Sequence, residues 1–196
     1  MNRMAESVAM APEAPSAVWQ GVRGAGIVVA GSALIAVCAH AAIPLWFTPV
    51  PVTLQPFAVL LLGLLLGPRM AFGATAAYLV EGAAGLPVFT PHGLGGMAQL
   101  LGPTGGYLLS YPIVAPLVSV LWRLGSRNFS RGVAITTAGS LVTLAMGAVW
   151  LGVFTHAAAM TVLSQAVLPF LPGDVLKIVA AAGIAVGASR WRERRA

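Results

Sequence analysis

The clearest shortage in this 196-residue sequence is charge: only 8% of its residues are Asp, Glu, Lys or Arg, whereas 58% are hydrophobic. A soluble domain carries roughly 25% charged residues because its surface must be hydrated. Five acidic and eleven basic side chains are too few to cover such a surface. The composition therefore excludes an ordinary water-soluble enzyme and a disordered chain, and it predicts a polytopic membrane protein.

Cysteine and lysine are almost absent. The single cysteine, Cys38, excludes an intramolecular disulfide and argues against thiol redox chemistry. The only lysine, Lys177, does not follow a glycine-rich phosphate loop, so the sequence has no nucleotide-binding motif of that kind. His40, His92 and His156 lack the spacing of metal ligands. We therefore predict no metal and no cofactor. The 23 glycines and 14 prolines exclude one long coiled coil.

Six apolar segments qualify as membrane-spanning helices, and two of them are short. They cover residues 22–43, 55–67, 70–85, 106–122, 133–154 and 173–189. Gly-Pro-Arg at 67–69 predicts a tight hairpin between the second and third spans. Residues 163–171 are also apolar, and we expect part of this connection to be a helix lying against the membrane. The predicted fold is all-α, with one domain at 21–190 between a disordered cytoplasmic tail at 1–20 and a basic cytoplasmic tail at 191–196.

Arginine side chains predict the orientation of the spans. They lie before the first span, between the second and third, between the fourth and fifth, and after the sixth: Arg3, Arg23, Arg69, Arg123, Arg127, Arg131, Arg190, Arg192, Arg194 and Arg195. Short cytoplasmic loops collect positive charge, so both termini are predicted to be cytoplasmic. This placement also argues against nucleic acid as the partner of a basic chain. A signal peptide cleaved near 39–41 is the alternative for the first span, but the apolar run continues to Ile43 and cleavage would break the charge pattern.

Two opposite charges lie inside the sixth predicted span. Asp174 and Lys177 are three residues apart, which places both side chains on one face of a helix. Ionisable residues inside membrane spans are candidates for a functional site. The alternative is a self-neutralising pair that caps the helix and reaches towards the interface.

Other polar groups are predicted at the same outer depth. Gln55 opens the second span, and Glu81 lies near the outer end of the third, where it could also be an interfacial carboxylate exposed to water. Together with Asp174 and Lys177 they suggest an outward-facing pocket for a small ligand that has its own carboxylate and N–H groups. The connection at 86–105 is rich in glycine, which suits a re-entrant path or a cover over the ligand.

Small residues four apart in the first span favour close approach of a neighbouring helix. Whether that neighbour belongs to this chain or to another protein is left open by the spacing. The pairs are Gly21 and Ala25, Gly26 and Ala30, and Ser32 and Ala36.

Four segments together resemble signature segments of the BioY family, the biotin-binding S components of energy-coupling factor transporters. They are PVPVTLQ at 49–55, AYLVEGAAGLPVF at 77–89, LGPTGGYL at 101–108 and LPGDVLK at 171–177. The resemblance implies six helices with both termini inside, a biotin site near the outer face, and residence in a prokaryotic plasma membrane. It also implies no enzymatic activity by the chain itself.

The resemblance further implies a ligand site and partners. It places Asp174, Lys177 and Gln55 at the biotin site, with Glu81 at a more variable position, and we expect Tyr78, Phe89 and Tyr111 to pack against the apolar part of the ligand. The implied partners are a transmembrane coupling protein and two cytoplasmic ATPases, contacted through small residues of the first helix. The family's Ala-x-x-x-Ala motif has no strict match here, and Gly26/Ala30 and Ser32/Ala36 are the nearest equivalents. The alternatives are a related component for a riboflavin- or thiamine-like vitamin, and an intramembrane enzyme with Glu81 or Asp174 as its general base.

Overall fold

The computed structural model describes residues 17–195, and the described chain is helical apart from one pair of very short strands. Its elements are α1 (Ala17–His40), β1 (Ala42–Ile43), β2 (Val52–Thr53), α2 (Gln55–Leu65), α3 (Pro68–Ala83), α4 (Gly96–Leu101), α5 (Gly105–Arg123), α6 (Phe129–Thr155), α7 (Ala159–Ala166) and α8 (Leu171–Glu193).

Each of the six predicted apolar segments forms a helix: α1, α2, α3, α5, α6 and α8. Among the described residues, four of these helices, α1, α5, α6 and α8, are long and apolar enough to cross a membrane. The helix α2 has 11 residues and α3 has 16, which at 1.5 Å per residue is about 16 Å and 24 Å, less than the ~30 Å of a hydrocarbon core.

The short helix α2 lies at the centre of the bundle. It packs against α1, α3, α5, α6 and α8, and residues 58–64 are all buried. Gly63 permits its closest approach to α5, because a Cβ at this position would lie 2.8 Å from the carbonyl oxygen of Ala115. Enclosure by other helices explains how so short an apolar helix is accommodated.

The first helix ends earlier than its apolar run. Residues 42 and 43 leave the helix and pair with β2 in antiparallel register, Ala42 opposite Thr53 and Ile43 opposite Val52. Pro44 accounts for this, because a residue that precedes proline is driven out of the helical conformation. The paired strands bring the start of α2 back to the end of α1.

The ends of the chain differ from the predicted tails. Because α1 begins at Ala17, residues 17–20 are its first turn rather than part of a tail, and residues 1–16 lie outside the described part of the chain. The helix α8 continues to Glu193, so the first half of the predicted basic tail is helical. The added residues include Trp19 in α1, and Trp191 and Arg192 in α8.

Two short helices lie in the connections. The glycine-rich connection contains α4, which begins where Gly95 and Gly96 have φ of +68° and +57°, a conformation that favours glycine. The last connection contains α7, which begins four residues before the apolar stretch predicted at 163–171 and ends before Pro169.

Candidate ligand-binding site

A cavity lies at the end of the bundle where the paired strands and the glycine-rich connection come together. It contains about 550 Å³ of space free of atoms, its opening included. Its walls are mainly apolar and aromatic, with polar groups supplied from several elements. The lining residues are Val50, Pro51, Thr53, Gln55, Pro56, Phe89, Thr90, Gln99, Thr104, Tyr107, Leu108, Tyr111, Thr143, Leu144, Phe170, Asp174 and Lys177.

The charged pair predicted on α8 lies in the cavity wall. Lys177 Nζ donates to Asp174 Oδ1 at 3.0 Å, and the two side chains are only 6% and 9% exposed. The second carboxylate oxygen, Oδ2, accepts from Ser140 Oγ of α6 at 2.6 Å. One ammonium proton is therefore engaged by the carboxylate, which leaves two further donors on Lys177. The pair is neutral overall, so its burial does not leave an uncompensated charge.

Gln55 is held by hydroxyl groups from three elements. Its Oε1 accepts from Thr53 Oγ1 at 3.2 Å and from Tyr111 Oη at 3.4 Å, while its Nε2 donates to Tyr78 Oη. The side chain is buried, and α2 begins at this residue. A fixed amide group thus faces the cavity from the side of α2.

The glycine-rich connection forms another wall. Gln99 of α4 accepts from the backbone N–H of Leu94 at 2.6 Å and donates to Thr104 Oγ1 at 2.7 Å, which fixes the path of the connection. Thr90 also lines the cavity, and its buried hydroxyl has no hydrogen-bond partner among the described residues. A buried polar group without a partner is costly, so this hydroxyl is available to a ligand.

The residues predicted for the site fall into two sets. Gln55, Phe89, Tyr111, Asp174 and Lys177 line the cavity.

The other two predicted residues lie behind or beside it. Tyr78 is fully buried behind the wall, where it contacts Gln55 and stacks edge-on against Phe89 with ring centroids 5.4 Å apart. Glu81 does not line the cavity: its side chain is half-buried and accepts a hydrogen bond from Ser32 of α1. Of the four polar groups predicted to share one pocket, Gln55, Asp174 and Lys177 line this cavity, whereas Glu81 faces α1.

The small residues of α1 also differ in the direction that they face. Gly26 and Ala30 are exposed on the surface of the bundle, and a Cβ at Gly26 would meet no atom within 4 Å. Ser32 is buried against α3, and Ala36 is half-buried against the core. Of the four predicted contact residues, Gly26 and Ala30 are the two exposed ones.

Several residues of the site were not predicted from the sequence. Tyr107 lines the cavity and packs on Phe170 with ring centroids 5.9 Å apart, while its hydroxyl donates to the carbonyl of Ala166. Gly147 makes room for this ring, since a Cβ there would lie 2.2 Å from it. Tyr107 follows two glycines at the start of α5, and this sequence feature could have identified it as a site residue. Ser140 is one of several small polar residues in α6, and nothing in the sequence singles it out.

The fold and the site together define a helical membrane protein with an internal small-molecule site. Within residues 17–195 no group of three or more His, Cys, Asp or Glu side chains is placed to hold a metal ion. Polar groups that converge in a mostly apolar cavity are typical of sites that bind a small organic molecule.

Comparisons with known proteins give the family. The model of the BioY family matches residues 8–194. The chain is 40% identical over 137 residues to a probable biotin transporter BioY of Pyrococcus horikoshii, covering 70% of this chain and 79% of that protein. It is 38% identical over 155 residues to the biotin transporter BioY of Thermotoga maritima, covering 79% and 89%. The biotin transporter BioY2 of Lactococcus lactis is 37% identical over 155 residues, covering 78% and 82%.

A solved structure agrees with these relatives. The crystal structure at 2.1 Å of the S-component for biotin from an ECF-type ABC transporter matches with a TM-score of 0.80 and 30% identity, over 90% of this chain and 95% of that one. The chain belongs to the BioY family. The family's members are named as transporters, which accords with the absence of enzymatic activity expected from the sequence.

Proposed function

We propose that this chain binds biotin and serves as the substrate-binding component of a biotin uptake transporter. The observation that carries the proposal is the cavity wall in which Lys177, Asp174 and Gln55 meet inside an otherwise apolar bundle. Biotin has a carboxylate at one end, a ureido group with two N–H donors and a carbonyl at the other, and an apolar chain and thioether ring between them. The donors, acceptors and aromatic walls of the cavity complement these groups.

Lys177 is the cation available to the ligand. Its two remaining N–H donors face either the carboxylate or the ureido carbonyl of biotin, and the carboxylate gives the stronger, charge-assisted bond. Asp174 retains lone pairs on both oxygens for a ureido N–H, and Gln55 fixes orientation through its amide. Phe89 and Tyr111 pack against the apolar part of the ligand.

The proposed topology has six membrane crossings with both chain ends in the cytoplasm of a prokaryote. The arginine distribution supports this orientation, because every connection that contains arginine is then cytoplasmic. The cavity then opens to the outside and captures biotin there for delivery inward. The short helix α2 crosses as an enclosed helix, whereas α3 packs against α1 and α5 and exposes Phe72 and Val80.

The proposed partners are a transmembrane coupling protein and two cytoplasmic ATPases. The family assignment and the crystal structure of an S-component support them, and the sequence itself contains no nucleotide-binding loop. The exposed small residues Gly26 and Ala30 of α1 form the candidate contact surface for the coupling protein.

Biotin binding by the purified chain tests the site. We expect Lys177→Ala and Asp174→Asn each to weaken binding by roughly tenfold or more, since hydrogen bonds to charged groups contribute about 1.5–3 kcal/mol. Glu81→Gln is the matched control, because it converts a carboxylate outside the cavity and should leave the affinity unchanged. Unchanged affinity in both cavity variants would refute the site.

Ligand competition tests the class of vitamin. We expect unlabelled biotin, but neither riboflavin nor thiamine, to displace labelled biotin from the chain. Displacement by either of the other vitamins at similar concentrations would favour the alternative of a different vitamin. Uptake of biotin by cells that produce this chain with and without the coupling protein and ATPases then tests the proposed partners.

A further inference from the structure

A second polar pocket lies at the opposite end of α2 from the ligand cavity. It is enclosed by the end of α2, the end of α5 with the following loop, and the last turns of α8. The lining residues are Leu64, Leu65, Leu66, Trp122, Arg123, Arg127, Ala188, Ser189 and Arg192. Its space free of atoms is about 360 Å³, the opening included.

Three arginines converge on this pocket without a carboxylate. Arg123, Arg127 and Arg192 come from α5, the loop after it, and α8. In the part of the chain that the structure describes, none of the three forms an ion pair, since the one ion pair there joins Lys177 to Asp174. Glu193 is adjacent in sequence to Arg192 but does not neutralise it.

The described residues compensate this positive charge only in part. The carbonyl end of α2 contributes about half a negative charge to the pocket. The guanidinium group of Arg123 lies over Gly67, just after this end of α2. A Cβ added to Gly67 would lie 2.8 Å from one of its nitrogens. Within residues 17–195, three guanidinium groups against about half a negative charge leave the pocket electropositive and suited to an anion with several acceptor oxygens.

The surroundings place the pocket at the depth of lipid headgroups. Trp191, one residue from Arg192, is 56% exposed and lies under the guanidinium of Arg195 at 4.0 Å. Trp19, in the first turn of α1 at the same end of the bundle, is 70% exposed. Exposed tryptophans of this kind mark the membrane–water interface. Above the pocket, Ile184 and Gly187 of α8 present an exposed apolar surface along which an acyl chain can lie.

We propose that the pocket formed by Arg123, Arg127 and Arg192 binds the phosphate of an anionic membrane lipid. Basic pockets between membrane helices on the cytoplasmic side suit such headgroups. A zwitterionic phosphatidylcholine offers the same phosphate, but its choline cation is repelled by the guanidinium groups. The bound lipid supplies the negative charge that the described residues lack here.

The test measures the affinity of the full chain for single lipids by native mass spectrometry in a neutral detergent. The probes are phosphatidylglycerol, phosphatidylcholine with the same acyl chains, inorganic phosphate and a short polyglutamate peptide. We expect phosphatidylglycerol to bind most tightly. The R123Q/R127Q/R192Q variant should bind it about 150-fold more weakly, because each arginine removed lowers the affinity by a little over fivefold.

A matched control separates the pocket from net charge. The R69Q/R190Q/R194Q variant loses the same charge outside the pocket and should retain the wild-type affinity. The double variant R127Q/R192Q leaves Arg123 in place over Gly67, and we expect a loss of about 30-fold. It provides the measurement even where the triple variant does not fold.

Four results would overturn the proposal. They are equal losses in the pocket variants and the control, equal binding of phosphatidylglycerol and phosphatidylcholine, binding of inorganic phosphate as tightly as of lipid, and tighter binding of polyglutamate than of lipid. The third would assign the pocket to a free anion, and the fourth to an acidic segment of a protein partner. None of these results depends on whether biotin is the ligand of the cavity.

Discussion

Removing the charge of Asp174 isolates the contribution of the buried pair to folding. In Asp174→Asn the ammonium group of Lys177, only 6% exposed, loses its counter-ion. At 3.0 Å the attraction between the two charges is of the order of 5 kcal/mol at an effective dielectric constant of about 20. Breaking buried pairs of this kind typically costs about 3–5 kcal/mol. We therefore expect Asp174→Asn to lower the free energy of unfolding by about 3–5 kcal/mol.

The double variant shows whether the loss comes from the unpaired charge. Asp174→Asn combined with Lys177→Met removes both charges, and we expect a total loss below about 2 kcal/mol, far less than the sum of the two single losses. Unfolding in mixed micelles can be followed through the reaction of Cys38 with a thiol-reactive dye, since Cys38 is the only cysteine of the chain and is buried. Glu81→Gln, which changes a half-buried carboxylate on α3, is the control and should have a smaller effect.

Two outcomes would refute this account of the pair. One is an Asp174→Asn variant as stable as the wild type, which would mean that solvent or neighbouring dipoles already neutralise Lys177. The other is a double variant whose loss equals the sum of the single losses, which would mean that the two side chains contribute independently.

Three further substitutions test the walls of the cavity. Gly82→Ala places a methyl group 2.1 Å from a ring carbon of Phe89; we expect a loss of about 1–3 kcal/mol of unfolding free energy and weaker biotin binding in calorimetry. Gly183→Ala, in open space inside α8, should leave binding unchanged and raise stability by up to about 1 kcal/mol. Thr90→Val removes the hydroxyl that has no partner; we expect undiminished stability of the unliganded chain but weaker biotin binding, and equal affinity would exclude a ligand contact there. Gln99→Leu removes the hydrogen bonds that hold the glycine-rich connection; we expect faster amide exchange in that connection and faster biotin release, and unchanged exchange would contradict its role.

The helices were largely predictable because their signal is local. Long apolar runs interrupted by arginine and proline gave all six main helices, and the i, i+3 spacing of Asp174 and Lys177 correctly placed both side chains on one face of α8, where they form the ion pair weighed as the alternative. The paired strands β1 and β2 were not predicted, since two-residue strands carry no periodicity and form only because the chain folds back after Pro44.

The direction of each side chain was harder to predict than its depth. Glu81 and Asp174 were assigned to the same level, yet one faces α1 and the other the cavity, because helix rotation follows from packing among several helices. Ser140 contacts Asp174 across 34 positions of sequence, a pairing that no spacing rule reports. Gln55, Asp174 and Lys177 were predicted because polar groups are rare inside apolar spans, whereas Tyr107 within a motif and Thr143 of α6 line the cavity and were missed.

The central helix α2 gives the bundle a mechanical property. Its first residue, Gln55, forms part of the ligand cavity, and its last turn, with Leu64 and Leu65, forms part of the arginine pocket. Eleven residues of α-helix make a stiff rod about 16 Å long. An axial shift of Gln55 therefore moves the carbonyl groups beside the arginines by the same distance. Displacements at the ligand cavity and at the arginine pocket are thus coupled through a single buried helix.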